Sequence, residues 1–285
     1  MSSAPFRISK TAWPRHPVII SVPHAGRAYP PEMASLSRLT SQELSALEDR
    51  YADALVAVAE QAGYPTIIAQ TPRAWIDLNR AEAEYDPQTV DGRHIGHPIV
   101  TAKVRGGLGI IPSRIMPSLA VWKSRIDATS FESRLSTHYR PYHDALSAMI
   151  ATSISDFGIA VLLDVHSMPP IPPQAGASPA QIVIGDLFGK SSNRHFTNVV
   201  AACGAAAGLP VAVNTPYAGG HILARHGNKA RNIHAVQIEI DRSLYLDGAR
   251  DQTASGLAAM QSLILAIAQN ISAAALSTTR AIAAE

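Results

Sequence analysis

The chain has 285 residues and a formal net charge of +2, with 47% hydrophobic and 16% charged residues. This composition excludes an intrinsically disordered chain, and the near balance of charges argues against a protein that neutralises a nucleic-acid backbone. The chain has 11 His but only 1 Cys, which excludes an intramolecular disulfide and a zinc site built from several thiolates. Any bound metal must therefore be held by imidazoles and carboxylates.

The N-terminal stretch MSSAPFRISKTAWPRHP lacks the apolar core of a signal peptide. No run reaches the roughly 18 consecutive apolar residues that a membrane span requires. We therefore predict a cytoplasmic protein that has neither a membrane nor a nucleic acid as partner. The sequence leaves the oligomeric state open.

Six short β-branched runs have the composition of buried strands. They are 17–22, 66–70, 159–165, 181–185, 211–216 and 235–240. Helical patterns separate them, and strands that alternate with helices indicate a mostly parallel sheet. We therefore predict an α/β fold in a single domain, 1–285, in which helices flank both faces of a mixed, mostly parallel sheet.

The clearest helical pattern covers 40–63. Thr40 and Glu43 have the spacing of a capping box, the apolar residues recur at helical intervals, and Gly63 ends the run. Further helices are predicted over 119–156, 194–207 and 253–285. The first of these should break near Pro141, because proline lacks the backbone N–H that a helix interior needs.

Two stretches, 82–118 and 168–179, have no periodic pattern and are rich in Gly and Pro. Long irregular loops often form the walls of a site, although plain surface loops are an equal alternative here. The segment IVIGDLFGKSS is not a phosphate-binding loop, since only three residues separate Gly185 from Gly189 and such a loop needs four. The sequence also has no G-x-S-x-G nucleophile elbow.

Reactive side chains follow several of the predicted strands. In α/β sheets ligands bind beyond the carboxyl ends of the strands. Four segments end there in polar residues: His24, then Asn79 and Arg80 in AWIDLNR, then His166, then Glu239. His24 and His166 with one carboxylate would form the three-ligand arrangement that leaves a catalytic zinc one open position.

The carboxylate ligand has two candidates, Asp49 and Asp53. They lie one turn apart on the helix predicted over 40–63 and would share a face, from which either could reach a neighbouring strand end. A solvated helix surface is the competing interpretation of this pair.

The strings SVPHAG, DLNR, DVHS, GGHI and HAVQIEID occur in that order across most of the chain. Together they resemble the N-formylglutamate amidohydrolase family, although each string alone is weak. The resemblance implies a metal-dependent α/β hydrolase fold related to zinc carboxypeptidases and aspartoacylases. It also implies a divalent metal, Zn²⁺ or another ion such as Co²⁺.

The resemblance assigns roles residue by residue. It implies that His24 and His166 bind the metal, that Glu239 is the general base, and that Asn79 and Arg80 grip a substrate carboxylate. One position departs from the carboxypeptidases, which have a ligand Glu three residues after the first His, where this chain has Arg27. Asp49, in EDRYADAL, resembles an aspartate of the deformylase pattern and is the predicted third ligand, with Asp53 as the alternative.

Five further residues are predicted to support the site. Asp164 points to the same side of its strand as His166 and would fix the imidazole. Arg225, and Arg73 in support, would hold a carboxylate through the planar guanidinium fork. His221 would donate to a developing oxyanion or bind substrate, and Gly220 would let the backbone approach closely. For Arg225, an exposed basic turn is an equal alternative.

The leading functional prediction is a metal-dependent amidohydrolase that cleaves N-formyl-L-glutamate to L-glutamate and formate, a reaction of histidine catabolism. The first alternative is a related metallo-amidase or carboxypeptidase-like hydrolase that acts on another N-acyl amino acid or on a peptide. The second alternative is an inactive module that binds carboxylates. Retention of Glu239 argues against the second, because a binder needs the arginines and not the base.

Overall fold

A computed structural model describes residues 4–9, 16–115, 119–173, 178–249 and 252–282 of the chain. Parts of both predicted loops, 116–118 and 174–177, lie outside the described residues, as does the end of the last predicted helix, 283–285. The backbone divides into two compact units of three segments each. The first comprises Met1–Arg7, Pro23–Arg50 and Ile68–Ala145, and the second comprises Ile8–Val22, Tyr51–Ile67 and Leu146–Glu285. A single domain therefore stays a prediction.

The strands form one mixed sheet. They are β1 Phe6–Ile8, β2 Val18–Val22, β3 Thr66–Ala69, β4 Ala160–Met168, β5 Ile182–Gly185, β6 Val211–Val213 and β7 Ile233–Asp241, in the order β1-β3-β2-β4-β7-β5-β6. The pairs β2/β4, β4/β7 and β5/β6 are parallel, whereas β5 runs antiparallel to β7. The predicted α/β class with a mixed, mostly parallel sheet is confirmed, and β1 is a strand that the sequence did not indicate.

The helices range in length from 4 to 26 residues. They are α1 Met33–Leu36, α2 Ser41–Leu44, α3 Ala52–Leu55, α4 Ala57–Gln61, α5 Ala102–Arg105, α6 Ala128–Arg134, α7 Arg140–Phe157, α8 Arg194–Ala206, α9 His221–His226 and α10 Leu257–Ile282. The predictions over 194–207 and from 253 onward are confirmed within the described residues.

The continuous helix predicted over 40–63 is wrong, although its capping box between Thr40 and Glu43 is present. A break follows the 3₁₀ turn Ser45–Leu47, because Glu48 is extended, with ψ of 149°, and Tyr51 has a left-handed φ of 58°. Glu48 is fully buried, and its carboxylate accepts hydrogen bonds from the Tyr29 hydroxyl at 2.6 Å and from Arg50 at 3.0 Å. A buried carboxylate requires such partners, and this requirement overrides the local helix propensity.

The helix predicted over 119–156 begins later than expected. Asp127 caps α6 by accepting a hydrogen bond from the Ser130 N–H at 2.8 Å. The predicted break near Pro141 is a π-helical segment, Leu135–Tyr139, which joins α6 to α7. Wider turns of this kind relieve a helix at the point where proline supplies no donor.

The apolar helix α10 contributes to the core of the second unit. Ile264, Ile267 and Ile271 are 0% exposed. The segment Leu257–Thr278 is long and apolar enough to cross a membrane by length and composition alone. That is a weak indication, since a buried core helix meets the same criterion.

Every residue of β2, β4 and β7 is buried. Parallel strands covered on both faces are normally apolar throughout. Here Asp164, His166, Gln237 and Glu239 interrupt the apolar pattern in the second halves of β4 and β7. Buried polar groups cost free energy unless they are hydrogen-bonded, so these four positions indicate a candidate functional site.

Candidate active site

Strands β4 and β7 bring a histidine and a glutamate side by side. In their parallel register His166 pairs with Glu239, and Asp164 pairs with Gln237. Side chains two residues apart point to the same side of a strand, so these four residues share one face of the sheet. His166 is 2% exposed and Glu239 is 9% exposed. A buried imidazole and a buried carboxylate therefore lie next to each other at the carboxyl ends of the two strands.

Asp164 orients the His166 ring. Its Oδ2 lies 2.9 Å from Nε2 of His166, and its Oδ1 accepts a hydrogen bond from the Ser21 hydroxyl at 2.7 Å. A carboxylate at Nε2 favours the tautomer that carries the proton there, which leaves Nδ1 as the basic nitrogen. The predicted proximity of Asp164 to the imidazole is thus present, and the nitrogen that can bind a metal is Nδ1.

Glu239 has a neighbour that the sequence analysis did not select. The side-chain amide of Gln237 donates to Oε1 of Glu239 at 2.8 Å. Both side chains are buried, with Gln237 at 3% exposure. A signal was available, because Gln237 stands two residues before Glu239 in the strand and therefore on the same side.

His24 in the first unit is held in the same manner as His166. Its Nε2 lies 2.7 Å from Oδ1 of Asp77, and its Nδ1 lies 3.5 Å from Oδ2 of Asp49. The backbone N–H of Asp49 donates to the carbonyl of His24 at 3.0 Å. The break in the predicted helix places Asp49 in this position, and both residues are 3% exposed. Asp53, in contrast, lies in the first turn of α3, so the two aspartates do not share a helix face as predicted.

Asp77 is a second residue that the sequence analysis missed. Its carboxylate is 0% exposed and accepts hydrogen bonds from Nε of Arg73 at 2.8 Å and from the backbone N–H of Asn79 at 2.8 Å. Burial alone would raise the pKa of Asp77, but the charges of Arg73 and Arg80 and the bond with His24 outweigh burial and hold it well below its usual value. Asp77 is therefore a fixed anion behind the His24 ring.

Arg80 is buried and held by backbone carbonyls. Its Nε donates to Leu108 at 2.9 Å and its Nη1 to Asn79 at 2.6 Å. The Tyr139 hydroxyl donates to the carbonyl of Arg80, and His143 lies within hydrogen-bonding distance of the Leu78 carbonyl. Burial lowers the pKa of Arg80, although Asp77 opposes that shift. The π-helical segment and α7 thus hold the backbone around Asn79 and Arg80 in place. The predicted binding of a substrate carboxylate by these two residues stays a prediction.

The described residues contain a group of His and Asp side chains that could hold a metal ion. In the first unit His24 and Asp49 are buried and could supply two ligands, and in the second unit His166 is buried and could supply a third. Two imidazoles and one carboxylate form a donor set that suits a catalytic divalent metal such as zinc.

The structure does not bring Arg225 to the carboxyl end of β7. Arg225 is exposed near the end of α9, where it lines a cavity of about 320 Å³ with Ile233, the first residue of β7. His221 and Gly220 stand at the start of α9, where Gly219 has a φ of 115° that only glycine adopts readily. Their predicted roles remain predictions.

A further buried arginine lies directly beyond β7. Arg242 donates to the hydroxyl of Ser167 at 3.2 Å and to its carbonyl at 3.3 Å. The preceding Asp241 accepts from the N–H and hydroxyl of Ser243. Asp241 therefore binds a backbone group at the end of the strand.

Comparison with known proteins agrees with this architecture. The family model described as N-formylglutamate amidohydrolase matches residues 16–246. The N-formylglutamate deformylase of Pseudomonas aeruginosa is 27% identical over 241 residues, which are 82% of this chain and 83% of that protein. The N-formylglutamate deformylase of Pseudomonas putida is 26% identical over 238 residues, with the same coverage.

A solved structure is similar over nearly the whole length. The crystal structure of N-formylglutamate amidohydrolase from Ralstonia eutropha JMP134 superposes with a TM-score of 0.88 at 27% identity, and the match covers 96% of this chain and 99% of that chain. Because the family model covers most of the sequence, the chain belongs to the N-formylglutamate amidohydrolase family.

Proposed function

We propose that this protein is a metal-dependent amidohydrolase that cleaves N-formyl-L-glutamate to L-glutamate and formate. The observation that carries the proposal is the register of β4 and β7, which sets the buried Glu239 beside His166. Family membership and the names of the relatives support the substrate and the reaction. A cytoplasmic place in histidine catabolism is part of the same proposal.

His24, Asp49 and His166 would hold the metal. The donor set fits, because both rings bond a carboxylate through Nε2, and that bond favours Nδ1 as the nitrogen that would bind a metal. A divalent ion, zinc or an ion such as cobalt, supplies a Lewis acid that lowers the pKa of water and polarises a carbonyl oxygen. Asp77 and Asp164 would act on the rings and have no contact with substrate in this proposal.

Glu239 would act first as the general base and then as the general acid of the reaction. Its carboxylate takes a proton from water as the water oxygen forms a bond to the formyl carbon. When the C–N bond breaks, Glu239 returns that proton to the departing nitrogen, so formic acid and the free amine are the direct products. The acid proton then passes to the amine or to solvent, which gives formate and balances atoms and charges. The acid and the base of the reaction are then the same group, which explains why one buried glutamate suffices.

Asn79 and Arg80 would hold a carboxylate of the substrate. Arg80 is anchored to two carbonyls, so little side-chain entropy is lost when it binds an anion. His221 would donate to the developing oxyanion, and Gly220 would leave space for the backbone to approach. Arg225, predicted as a second carboxylate contact, lines a cavity with Ile233, the first residue of β7, and no step of this mechanism depends on it.

The test combines metal analysis with a formate-release assay. Purified protein should contain about one divalent ion per chain, lose activity with a chelator and regain it with zinc or cobalt. Glu239→Gln should lower kcat by about 10²–10⁴-fold, the usual contribution of a general base. Glu60→Gln, on α4, is the matched control and should leave kcat unchanged.

A second experiment compares the turnover of N-formyl-L-glutamate with that of N-acetyl-L-glutamate. Turnover of the acetyl compound alone would replace the formyl assignment and favour the related metallo-amidase. Tight glutamate binding by calorimetry without turnover of either compound would favour a carboxylate-binding module. A metal-free protein with an unaffected Glu239→Gln variant would exclude the mechanism.

A further inference from the structure

Gln237 occupies a buried position between two carboxylates. It pairs in register with Asp164 on β4, and it stands two residues before Glu239 on β7. Ser21 and His166 already bond the Asp164 carboxylate. The Gln237 amide donates instead to Oε1 of Glu239 at 2.8 Å. Of the two carboxylates, Glu239 is thus the one that Gln237 contacts through a hydrogen bond.

This arrangement leaves the Gln237 carbonyl oxygen unsatisfied. Oε1 of Gln237 is buried and has no hydrogen-bond partner among the described residues. A buried polar atom without a partner costs free energy, and an apolar side chain of similar length at this position would avoid that cost. The hydrogen bond to the buried Glu239 carboxylate stabilises the protein, but the unsatisfied carbonyl oxygen offsets part of that gain. Such an exception calls for a reason besides stability.

The chemistry of the amide suggests the reason. A lysine or arginine at position 237 would form an ion pair with Glu239 and make the carboxylate a poor proton acceptor. A second carboxylate would force the two groups to share a proton. A neutral amide binds one oxygen of Glu239 and adds no charge.

We propose that Gln237 is a positioning residue that holds the Glu239 carboxylate in the orientation needed for proton transfer. The inference rests on the proposed function, because it requires Glu239 to be the base. Gln237 itself does not contact substrate or metal in this proposal.

The first measurement separates positioning from a structural role. Gln237→Met keeps the length of the side chain and removes both polar atoms. We expect a modest loss of stability to urea, because the buried Glu239 carboxylate loses a donor, with unchanged metal content and an unchanged KM. The kcat should fall about tenfold or more, because the base is no longer held. Gln261→Met is the matched control, since the Gln261 amide donates to the Ala54 carbonyl at 2.8 Å in the same unit. It should lose stability and keep its kcat.

A double-mutant cycle then tests whether Gln237 acts through Glu239. In the Glu239→Gln background, Gln237→Met should change kcat by less than twofold, because no base remains to be positioned. An undiminished effect in that background would overturn the inference, as would a loss of metal or a raised KM in Gln237→Met.

The cycle also distinguishes the two levels of the proposal. If Glu239→Gln has a strongly lowered kcat and Gln237→Met retains full kcat, the inference fails and the proposed function stands. If Glu239→Gln retains full kcat, the proposed base is wrong and the inference falls with it.

Discussion

His24 and His166 are each held by an aspartate, but the two aspartates have different partners. Each ring bonds an aspartate through Nε2, at 2.7 Å to Asp77 and at 2.9 Å to Asp164. The Asp77 carboxylate also accepts hydrogen bonds from Arg73 and from a backbone N–H. The Asp164 carboxylate receives, besides the ring, the hydroxyl of Ser21. One anion is therefore balanced by cations, whereas the other is balanced by neutral donors.

This difference separates two functions of a carboxylate behind a histidine. Asp77 orients His24 and also neutralises two buried or part-buried arginines, Arg73 and Arg80. Asp164 has a neutral neighbour in Ser21, so its main effect is on the orientation of His166. Substitution of Asp77 should therefore reduce stability and metal binding together, whereas substitution of Asp164 should reduce mainly metal binding.

The largest expected effect is that of Asp77→Asn. It keeps the shape of the side chain but leaves the charges of Arg73 and Arg80 without their buried carboxylate. Removal of one partner from a buried ion pair costs about 3–5 kcal/mol, and we expect about 3 kcal/mol here because Arg73 is part-exposed. Urea unfolding in the presence of a chelator measures this loss without a contribution from metal. Asp164→Asn under the same conditions should lose about 1 kcal/mol, and equal losses would contradict the comparison.

The second prediction concerns metal affinity. Asp164→Asn should weaken the affinity for zinc by about 10–100-fold, the usual effect of removing a carboxylate behind a ligand histidine. Ser21→Ala is the matched control, since it removes the other partner of Asp164 and leaves the bond to His166. Its affinity should fall by less than about threefold. Competition titration against a chromophoric chelator gives both constants, and equal effects would show that Asp164 does not act through the ring.

The third prediction is a pH dependence of stability that Asp77 confers. Its pKa is held well below the usual value, so the unfolded chain takes up a proton at a higher pH than the folded protein does. The stability from Asp77 is therefore complete above the unfolded pKa and is lost as pH falls toward the folded pKa. The difference in unfolding free energy between the wild type and Asp77→Asn should narrow below about pH 4. A difference that stays constant down to pH 2.5 would contradict the assignment.

The sequence predicted the sheet well because its signals are local. The runs that became β2, β4 and β7 are short, β-branched and buried, and their carboxyl ends mark His24, His166 and Glu239. Strand order and the antiparallel pairing of β5 with β7 depend on contacts distant in sequence, so no local pattern carries them.

The misses have a common physical cause. The helix predicted over 40–63 breaks at Glu48 because its carboxylate is buried against Tyr29 and Arg50, a tertiary contact that propensity does not contain. Asp77 was passed over because its importance lies in its partners, His24 among them, which come from other segments. Gln237 stands two residues before Glu239 and so shares its side of β7, but only the structure shows the hydrogen bond between the two side chains.

The smallest expected effect is that of Asp53→Asn, which tests the choice between two aspartates beside the break. Asp49 approaches His24, and its N–H bonds the His24 carbonyl, whereas Asp53 begins α3 in the other unit. Asp49→Asn should abolish metal binding at micromolar zinc, since it removes a ligand. Asp53→Asn should retain full metal content and change stability by about 0.5 kcal/mol or less, because Asp53 is part-exposed in the first turn of α3. Metal loss in Asp53→Asn with retention in Asp49→Asn would reverse the assignment and would require the segment after the break to turn toward His24.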